Sequence, residues 1–285
     1  MLNVYPDYYP QFHCIADRCR HNCCIGWEID VDEKSLDAYR KLGGEMGARL
    51  AENIAQDGDS PHFILGAHER CPFLNDQNLC DLILYGGEGM LCQICTDHPR
   101  YRSFFSERTE IGVGLCCEEA ARLILTKQEK TAIVVTGEGT LDEEETALLA
   151  LRDRFFAAAQ EREKPIFQRV ERFLSLCGAS LPDIPLTQWA EFYLSLERMD
   201  EAWTGILEAL REHADELPLD DFAAHMTGRE TEYEQMLVYF LYRHVPTALD
   251  DGDVGSKAAF AAASVRLLYA LGALHVKLYG DFTVD

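Results

Sequence analysis

The stretch Cys14-Ile-Ala-Asp-Arg-Cys19-Arg-His-Asn-Cys23-Cys24-Ile-Gly-Trp27 places four cysteines within eleven residues. Thiolates are the soft ligands that zinc and iron–sulfur clusters select. Cysteines this close together converge on one centre or serve two neighbouring ones. The side chains of the adjacent Cys23 and Cys24 diverge, so the pair can serve two neighbouring centres, or one cysteine can ligate while the other packs. We therefore expect this stretch to organise the N-terminal part of the chain around bound metal.

More thiols follow, so that ten of the eleven cysteines lie in the first 117 residues. They are Cys71, Cys80, Cys92, Cys95, Cys116 and Cys117. Between residues 63 and 113 the apolar runs are short and have no long period, so metal ligation would supply order that packing alone does not. The first four cysteines lack the two Cys-x2-Cys pairs of a zinc ribbon, which leaves the metal open between zinc and iron–sulfur. The isolated Cys177 is typical of a small buried hydrophobe.

From residue 140 onward, apolar residues recur at helical spacing, beginning at Leu148. Capping-box patterns predict helix starts at Asp30–Glu33 and Thr140–Glu143, and Pro165 is typical of a first helical turn. Later helices are predicted over residues 187–197, 200–216, 230–244 and 256–279. We therefore predict a mainly α protein, in which an irregular cysteine-rich metal-binding module (1–130) is followed by an all-helical domain (140–285).

The N-terminus has no basic segment followed by an apolar core, so it does not resemble a signal peptide. The most apolar stretch, 258–276, carries Arg266 and His275, so we predict no membrane insertion. A cytoplasmic location follows as an expectation. Disulfides are rare in the cytoplasm, and the clustered cysteines therefore indicate metal or redox chemistry.

The formal net charge is −23. No basic stripe is available to neutralise phosphates, which argues against a nucleic-acid partner. Long-range attraction instead favours cationic partners, such as a lysine-bearing protein or a positively charged small molecule. The alternative is that the acidic surface serves solubility alone.

The segment Cys95-Thr-Asp-His-Pro-Arg-Tyr101 combines a thiol, a carboxylate, an imidazole and a guanidinium. Arg100 can hold a ligand carboxylate with two parallel hydrogen bonds. The structural alternative is that Arg100 pairs with Glu118 or Glu119. Neither the cysteine spacing of radical S-adenosylmethionine enzymes nor a Rossmann glycine fingerprint is present, because Gly26 stands where the third radical-enzyme thiol would be.

Five motifs in order resemble the opening of the flagellin lysine-N-methylase family. They are Phe12-x-Cys14-x4-Cys19-x3-Cys23-Cys24-x-Gly26-Trp27; Cys71-Pro72-Phe73-Leu74 with Leu79-Cys80; Gly87-Glu88; Cys95-x2-His98-Pro99-Arg100; and Leu115-x-Cys117-x-Glu119-Ala120-Ala121-Arg122-Leu123. The cysteine pattern is also similar to a broader group of proteins with a zinc- or iron-chelating domain. The resemblance covers about the first 125 residues.

The resemblance implies a cysteine-bound metal, with an iron–sulfur cluster as the first choice and zinc as the alternative. The cysteines that match its pattern are Cys14, Cys19, Cys23, Cys24, Cys71, Cys80, Cys95 and Cys117. Cys92 and Cys116 fall outside the pattern. The resemblance also implies methyl transfer from S-adenosylmethionine to lysine ε-amines of flagellin.

Such a transfer needs a neutral amine, although free lysine has a pKa of about 10.4. Asp97, His98, Tyr101 and Glu119 are the candidate catalytic residues, and Arg100 is the candidate for the carboxylate of the donor. Two alternatives come from other classes of protein. One is a non-enzymatic iron–sulfur or zinc protein, including an electron-transfer protein, and the other is a structural zinc scaffold for protein interaction.

Overall fold

A computed structural model describes residues 1–20, 22–56 and 60–283 of the chain. The protein is mainly helical, as predicted. The helices are α1 (Glu33–Lys41), α2 (Gly44–Glu52), α3 (Asp81–Gly86), α4 (Gln93–Asp97), α5 (Glu118–Leu125), α6 (Glu143–Ala159), α7 (Ile166–Ser175), α8 (Leu186–Leu194), α9 (Glu201–His213), α10 (Leu219–His225), α11 (Glu230–His244), α12 (Ala248–Asp251) and α13 (Val254–Tyr279).

Short strands accompany the helices. They are β1 (Leu2–Pro6), β2 (Ile54–Ala55), β3 (His62–Phe63), β4 (Arg100–Phe104), β5 (Arg108–Val113) and β6 (Ile133–Thr136). The larger sheet has the order β4-β5-β1-β6, and β2 pairs antiparallel with β3. The expectation of an irregular N-terminal module (1–130) was therefore wrong for β1 to β5. The pairings of β5 with β1 and of β1 with β6 join distant parts of the chain, so short apolar runs do not reveal them.

The chain divides into two compact units. The cysteine-rich unit comprises residues 3–102 and 110–123, and the helical unit comprises residues 1–2, 103–109 and 124–285. The domain limits expected from the sequence, 1–130 and 140–285, stay a prediction.

Both predicted capping boxes lie two residues before the helix caps of the structure. The side chain of Asp32 accepts a hydrogen bond from the Ser35 amide at 3.0 Å, and α1 begins after it. Asp142 and Glu145 form the capping box of α6, and Asp142 accepts from the Glu145 amide at 2.8 Å. An N-cap residue must be extended, and Asp32 has ψ 155° and Asp142 ψ 177°. Asp30 and Asp32, and likewise Thr140 and Asp142, are alternative caps two residues apart, and the chain geometry selects the second of each pair.

The core of the cysteine-rich unit is built from aromatic and aliphatic side chains. Phe63 and Phe73 are 1% and 0% exposed, and their ring centroids lie 4.9 Å apart. Leu36 and Tyr39 from α1 and Leu50 from α2 pack into the same cluster. Several cysteines also belong to this core, so thiols lie in a largely dry environment.

The helical unit is organised around α11 and α13. Glu234 of α11 is fully buried and accepts hydrogen bonds from Arg162 at 2.7 Å and from Arg169 at 2.9 Å. Within the described residues, α13 is the one helix long and apolar enough to cross a membrane by length and composition. Ala258, Ala262 and Val265 of α13 are buried inside the protein. Such burial is typical of the core helix of a globular unit.

Candidate metal centre and ligand cavity

Five cysteines meet in the core of the cysteine-rich unit. We call them the inner thiol group: Cys24, Cys71, Cys80, Cys92 and Cys95. The thiols of Cys71 and Cys92 are buried, and the other three are half-buried against the same core cluster. The sequence separates these residues into three stretches, and the fold brings the stretches together.

Backbone contacts hold the inner thiol group in place. The Cys71 amide donates to the Cys24 carbonyl at 2.9 Å. Leu74 forms a β-bridge with Cys80, and Cys80 directly precedes α3. Cys92 precedes α4 and Cys95 lies within it, with their Sγ atoms 3.5 Å apart. The backbone around these cysteines thus holds all five thiols against the same core cluster.

Four other cysteines form the outer thiol group: Cys14, Cys19, Cys23 and Cys117. Cys19 interacts electrostatically with Cys117 and Cys23, and Cys117 interacts with Cys23 and Cys14. The amide of Arg20 donates to Glu118 Oε2 at 2.6 Å, which ties the first cysteine stretch to the start of α5. The adjacent residues Cys23 and Cys24 therefore connect the two groups, because Cys23 lies beside Cys117 and its thiol hydrogen-bonds to the thiol of Cys24.

Burial and neighbouring thiols shift the proton affinities of these side chains. Burial raises the pKa of Cys71 to about 11 and that of Cys19 to about 11. Hydrogen bonding from the Cys24 thiol, and then from His98 beside it, lowers the pKa of Cys23. The Cys95 thiol similarly lowers the pKa of Cys92. Each close pair thus has one sulfur that ionises easily and one that retains its proton.

We compared the thiol groups with the needs of a metal. Within residues 1–20, 22–56 and 60–283, no three His, Cys, Asp or Glu side chains form a preassembled metal site. The donor chemistry nevertheless fits zinc or an iron–sulfur cluster, because each group supplies at least four thiols. Two sulfurs on one tetrahedral zinc, at about 2.3 Å from the metal, lie roughly 3.8 Å apart. The 3.5 Å separation of Cys92 and Cys95 is close to that value.

Both predicted catalytic carboxylates make ion pairs. Asp97 accepts from Gln93 Nε2 at 2.6 Å and from Arg102 at 2.9 Å, and these bonds lower its pKa. Glu119 accepts two hydrogen bonds from Arg122, at 2.6 and 2.7 Å, which lower its pKa as well. A carboxylate held in this way is a weak proton acceptor.

The other predicted site residues lie among aromatic side chains. The His98 ring centroid is 5.6 Å from that of Trp27, whose indole N–H donates to the Cys23 carbonyl. The Arg100 guanidinium lies 5.2 Å from the Phe12 ring centroid and donates to the Thr96 carbonyl at 3.2 Å.

Tyr101 lies on β4, and its ring lies against Gly112 of β5, where a Cβ would come within 2.4 Å of the phenol. The carboxylate of Glu119, which the sequence offered as a structural partner for Arg100, pairs with Arg122 instead.

A cavity of about 730 Å³ lies in the helical unit. We call it the α7–α13 cavity. Its lining includes Phe167 and Glu171 of α7, Asp183 of the loop that follows α7, Asp220 of α10, and Arg266 and Tyr269 of α13. Its volume falls within the range of small-molecule sites.

Sequence reasoning missed two features of these sites. Cys92 fell outside the family pattern, although its Cys-x2-Cys spacing to Cys95 is typical of a metal ligand pair. The sequence indicates the α7–α13 cavity less clearly than it indicates the Cys92–Cys95 pair. Arg266, Tyr269 and Ala270 have the spacing of one helix face, but that pattern alone does not distinguish a cavity wall from a packed core.

The chain is a distant relative of bacterial lysine-N-methylases. It is 24% identical over 136 residues to the lysine-N-methylases of Salmonella typhimurium and Salmonella choleraesuis, which covers 45% of this chain. The flagellar biosynthetic protein FliU of Salmonella muenchen matches with the same identity, and the match covers 79% of that protein.

The matched region spans about a third of the length of the two lysine-N-methylases (33%). No family profile and no solved structure matches the chain. The resemblance noted in the sequence is thus confirmed as a distant relationship.

Proposed function

We propose that the protein is a lysine N-methyltransferase that transfers a methyl group from S-adenosylmethionine to lysine side chains of flagellin in the cytoplasm. The relationship to lysine-N-methylases and to a flagellar biosynthetic protein carries this proposal. The acidic chain suits a lysine-bearing protein surface, because its formal charge is −23.

The chemistry is a displacement at the methyl carbon. The lysine nitrogen forms a bond to the methyl group while the carbon–sulfur bond breaks, and the sulfonium becomes a neutral thioether. The amine proton must leave to a base or to water before attack. Asp97 and Glu119 are weak bases because Arg102 and Arg122 hold them, so His98 and Tyr101 remain the candidates among the predicted residues.

We further propose that the inner and outer thiol groups bind metal. Iron–sulfur clusters or zinc would be held by thiolates, and their role would be to stabilise the cysteine-rich unit. The convergence of nine thiols into two groups supports this, and the adjacent Cys23 and Cys24 would then serve separate centres.

The test uses full-length protein purified without oxygen. Its iron, zinc and sulfide are measured, and it is then incubated with S-adenosylmethionine and flagellin before intact-mass analysis. Lysine methylation with one S-adenosylhomocysteine per methyl, without added reductant, would support the proposal. Bound metal without methylation would favour the alternative of a non-enzymatic metal or electron-transfer protein.

Reductively dimethylated flagellin, whose lysines are blocked, is the matched control substrate. Strict dependence on dithionite with release of 5′-deoxyadenosine would contradict the displacement. It would indicate radical chemistry instead.

A further inference from the structure

A protruding segment of the cysteine-rich unit exposes apolar side chains. Ile83, Leu84 and Tyr85 of α3 are 40%, 61% and 54% exposed. Successive residues of an α-helix point about 100° apart, so the joint exposure of three means that α3 stands clear of the unit on most sides. Residues 83–89 are all exposed, and we call this run the α3 tip. Single apolar residues on a surface are ordinary, whereas contiguous ones indicate an interaction site.

Both ends of the α3 tip are fixed to the core. Before the tip, the Asp81 amide donates to the Phe73 carbonyl at 2.8 Å, and the Asp81 carboxylate pairs with Arg49 at 2.7 Å. After the tip, the Tyr39 hydroxyl donates to the Met90 carbonyl at 2.7 Å. A surface that is already ordered loses little conformational entropy when a partner binds to it, so this anchoring favours binding.

Glycines turn the chain at the end of α3. Gly87 has φ +79°, and its amide donates to the Ile83 carbonyl at 2.8 Å. This left-handed backbone conformation favours glycine, because a Cβ would be strained there. At Gly86, a Cβ would come within 2.6 Å of Met90 Cγ. The Gly87-Glu88 motif, to which the proposed function assigns no role, thus turns the chain directly after the three apolar residues and places Glu88 at that turn.

The charged side chains of this region have one sign. Residues 71–99 contain four acidic residues and no lysine or arginine. Asp81 and Asp97 are held in ion pairs. The exposed Glu88 carboxylate forms no hydrogen bond or ion pair with the described residues. A partner with exposed lysines supplies the missing cation, whereas a second copy of the α3 tip or an acidic membrane adds a like charge.

We propose that the α3 tip is a docking surface for flagellin, which buries the apolar residues of the tip and pairs one of its lysines with Glu88. This inference rests on the proposed methyltransferase function. A lysine offers an apolar stem and an ammonium, which suit the exposed Tyr85 ring and the Glu88 carboxylate. The tip belongs to the same unit as the candidate residues His98 and Tyr101, so docking there brings the substrate to the unit that carries them.

The decisive measurement is the affinity of the full-length protein, purified without oxygen, for monomeric flagellin by titration calorimetry. Glu88→Lys is compared with Glu52→Lys. The two variants change the net charge of the same unit equally, and both carboxylates are exposed and unpaired within the described residues. We expect Glu88→Lys to weaken flagellin binding at least about tenfold and Glu52→Lys at most about twofold.

A second pair of variants tests the apolar contact. Leu84→Ser should weaken flagellin binding about tenfold, because it removes apolar surface that the complex buries. It should raise KM for flagellin and leave kcat unchanged. Leu196→Ser is the control, since Leu196 is 49% exposed and lies in the helical unit. Leu84 is 61% exposed, so metal content and thermal unfolding of Leu84→Ser should equal those of the unchanged protein.

The outcomes separate the inference from the proposed function. If the unchanged protein methylates flagellin while Leu84→Ser and Glu88→Lys bind flagellin normally, the docking assignment is overturned and the function stands. Equal weakening by Glu88→Lys and Glu52→Lys would assign the effect to net charge and also overturn it. Self-association that Leu84→Ser abolishes, with normal flagellin binding, would make the tip an interface between copies instead. If the unchanged protein neither binds nor methylates flagellin, the proposed function falls and the inference falls with it.

Discussion

The Sγ atoms of Cys92 and Cys95 lie 3.5 Å apart at the start of α4. Cys92, which falls outside the family pattern, thereby joins the inner thiol group. The N-terminus of α4 is tied to α1 as well, because the Gln93 amide donates to Asp32 Oδ2 at 2.7 Å. Metal bound at this pair would therefore connect α4 to the core of the cysteine-rich unit.

The first prediction concerns metal content. Cys92→Ser should lose metal from the inner thiol group and make the segment between residues 63 and 113 sensitive to protease, because a serine hydroxyl is a poor soft-metal ligand. Metal analysis and limited proteolysis of anaerobically purified protein provide the measurement.

Adjacent cysteines offer a matched control for the outer thiol group. Cys117→Ser should lose metal, whereas Cys116→Ser should not, because the exposed Cys116 belongs to neither group. Equal metal content in all three variants and in the unchanged protein would show that these thiols are not ligands.

The second prediction concerns the buried ion network of the helical unit. Glu234→Gln should lower the free energy of unfolding by about 3–5 kcal/mol, because it leaves the 5% exposed Arg169 side chain without its anion. Urea unfolding followed by circular dichroism measures the change.

The exposed pair Lys257–Asp251 serves as the comparison. Asp251→Asn should lower the free energy of unfolding much less than Glu234→Gln does, because water already screens this pair. A similar cost for both variants would mean that burial does not strengthen the network around Glu234.

The third prediction concerns pH. Burial, assisted by the charges of Arg243 and Lys257, lowers the pKa of His244 to about 4, from about 6.5 in an unfolded chain. Between these values the unfolded chain binds a proton that the folded protein does not, so stability falls as the pH drops through this window. The loss of stability from His244 is absent above about pH 6.5 and complete below about pH 4.

His244→Phe removes this titration and keeps a ring beside Phe260, whose centroid lies 4.8 Å from the imidazole. We expect the variant to lose less stability than the unchanged protein between pH 8 and pH 5. Urea unfolding at each pH, compared with the value at pH 8, gives the difference. Parallel pH profiles for the two proteins would contradict the prediction.

The fourth prediction concerns the encounter with flagellin. The formal charge of −23 should attract a lysine-bearing surface, and the Debye length shrinks from about 10 Å at 0.1 M salt to 3 Å at 1 M. The methylation rate at limiting flagellin should therefore fall with salt, while turnover at saturating flagellin changes less. A rate at limiting flagellin that does not respond to salt would argue against electrostatic steering.

The sequence by itself determined the helical elements whose signals are local. The α11 helix spans the predicted residues 230–244, and α7 begins directly after Pro165, because periodicity and proline act within one or two turns. The sequence also shows that ten of the eleven cysteines lie in the first 117 residues, because positions along the chain do not depend on the fold.

Only the tertiary structure decided which thiol joins which group. Cys23 lies beside Cys117 of the outer thiol group, Cys24 meets Cys71 through a backbone hydrogen bond of 2.9 Å, and Cys92 enters the inner thiol group. The tertiary structure also places Arg266 on the wall of a cavity together with residues from α7 and α10. These relationships depend on contacts between distant segments, and a local pattern does not specify which distant segments pair.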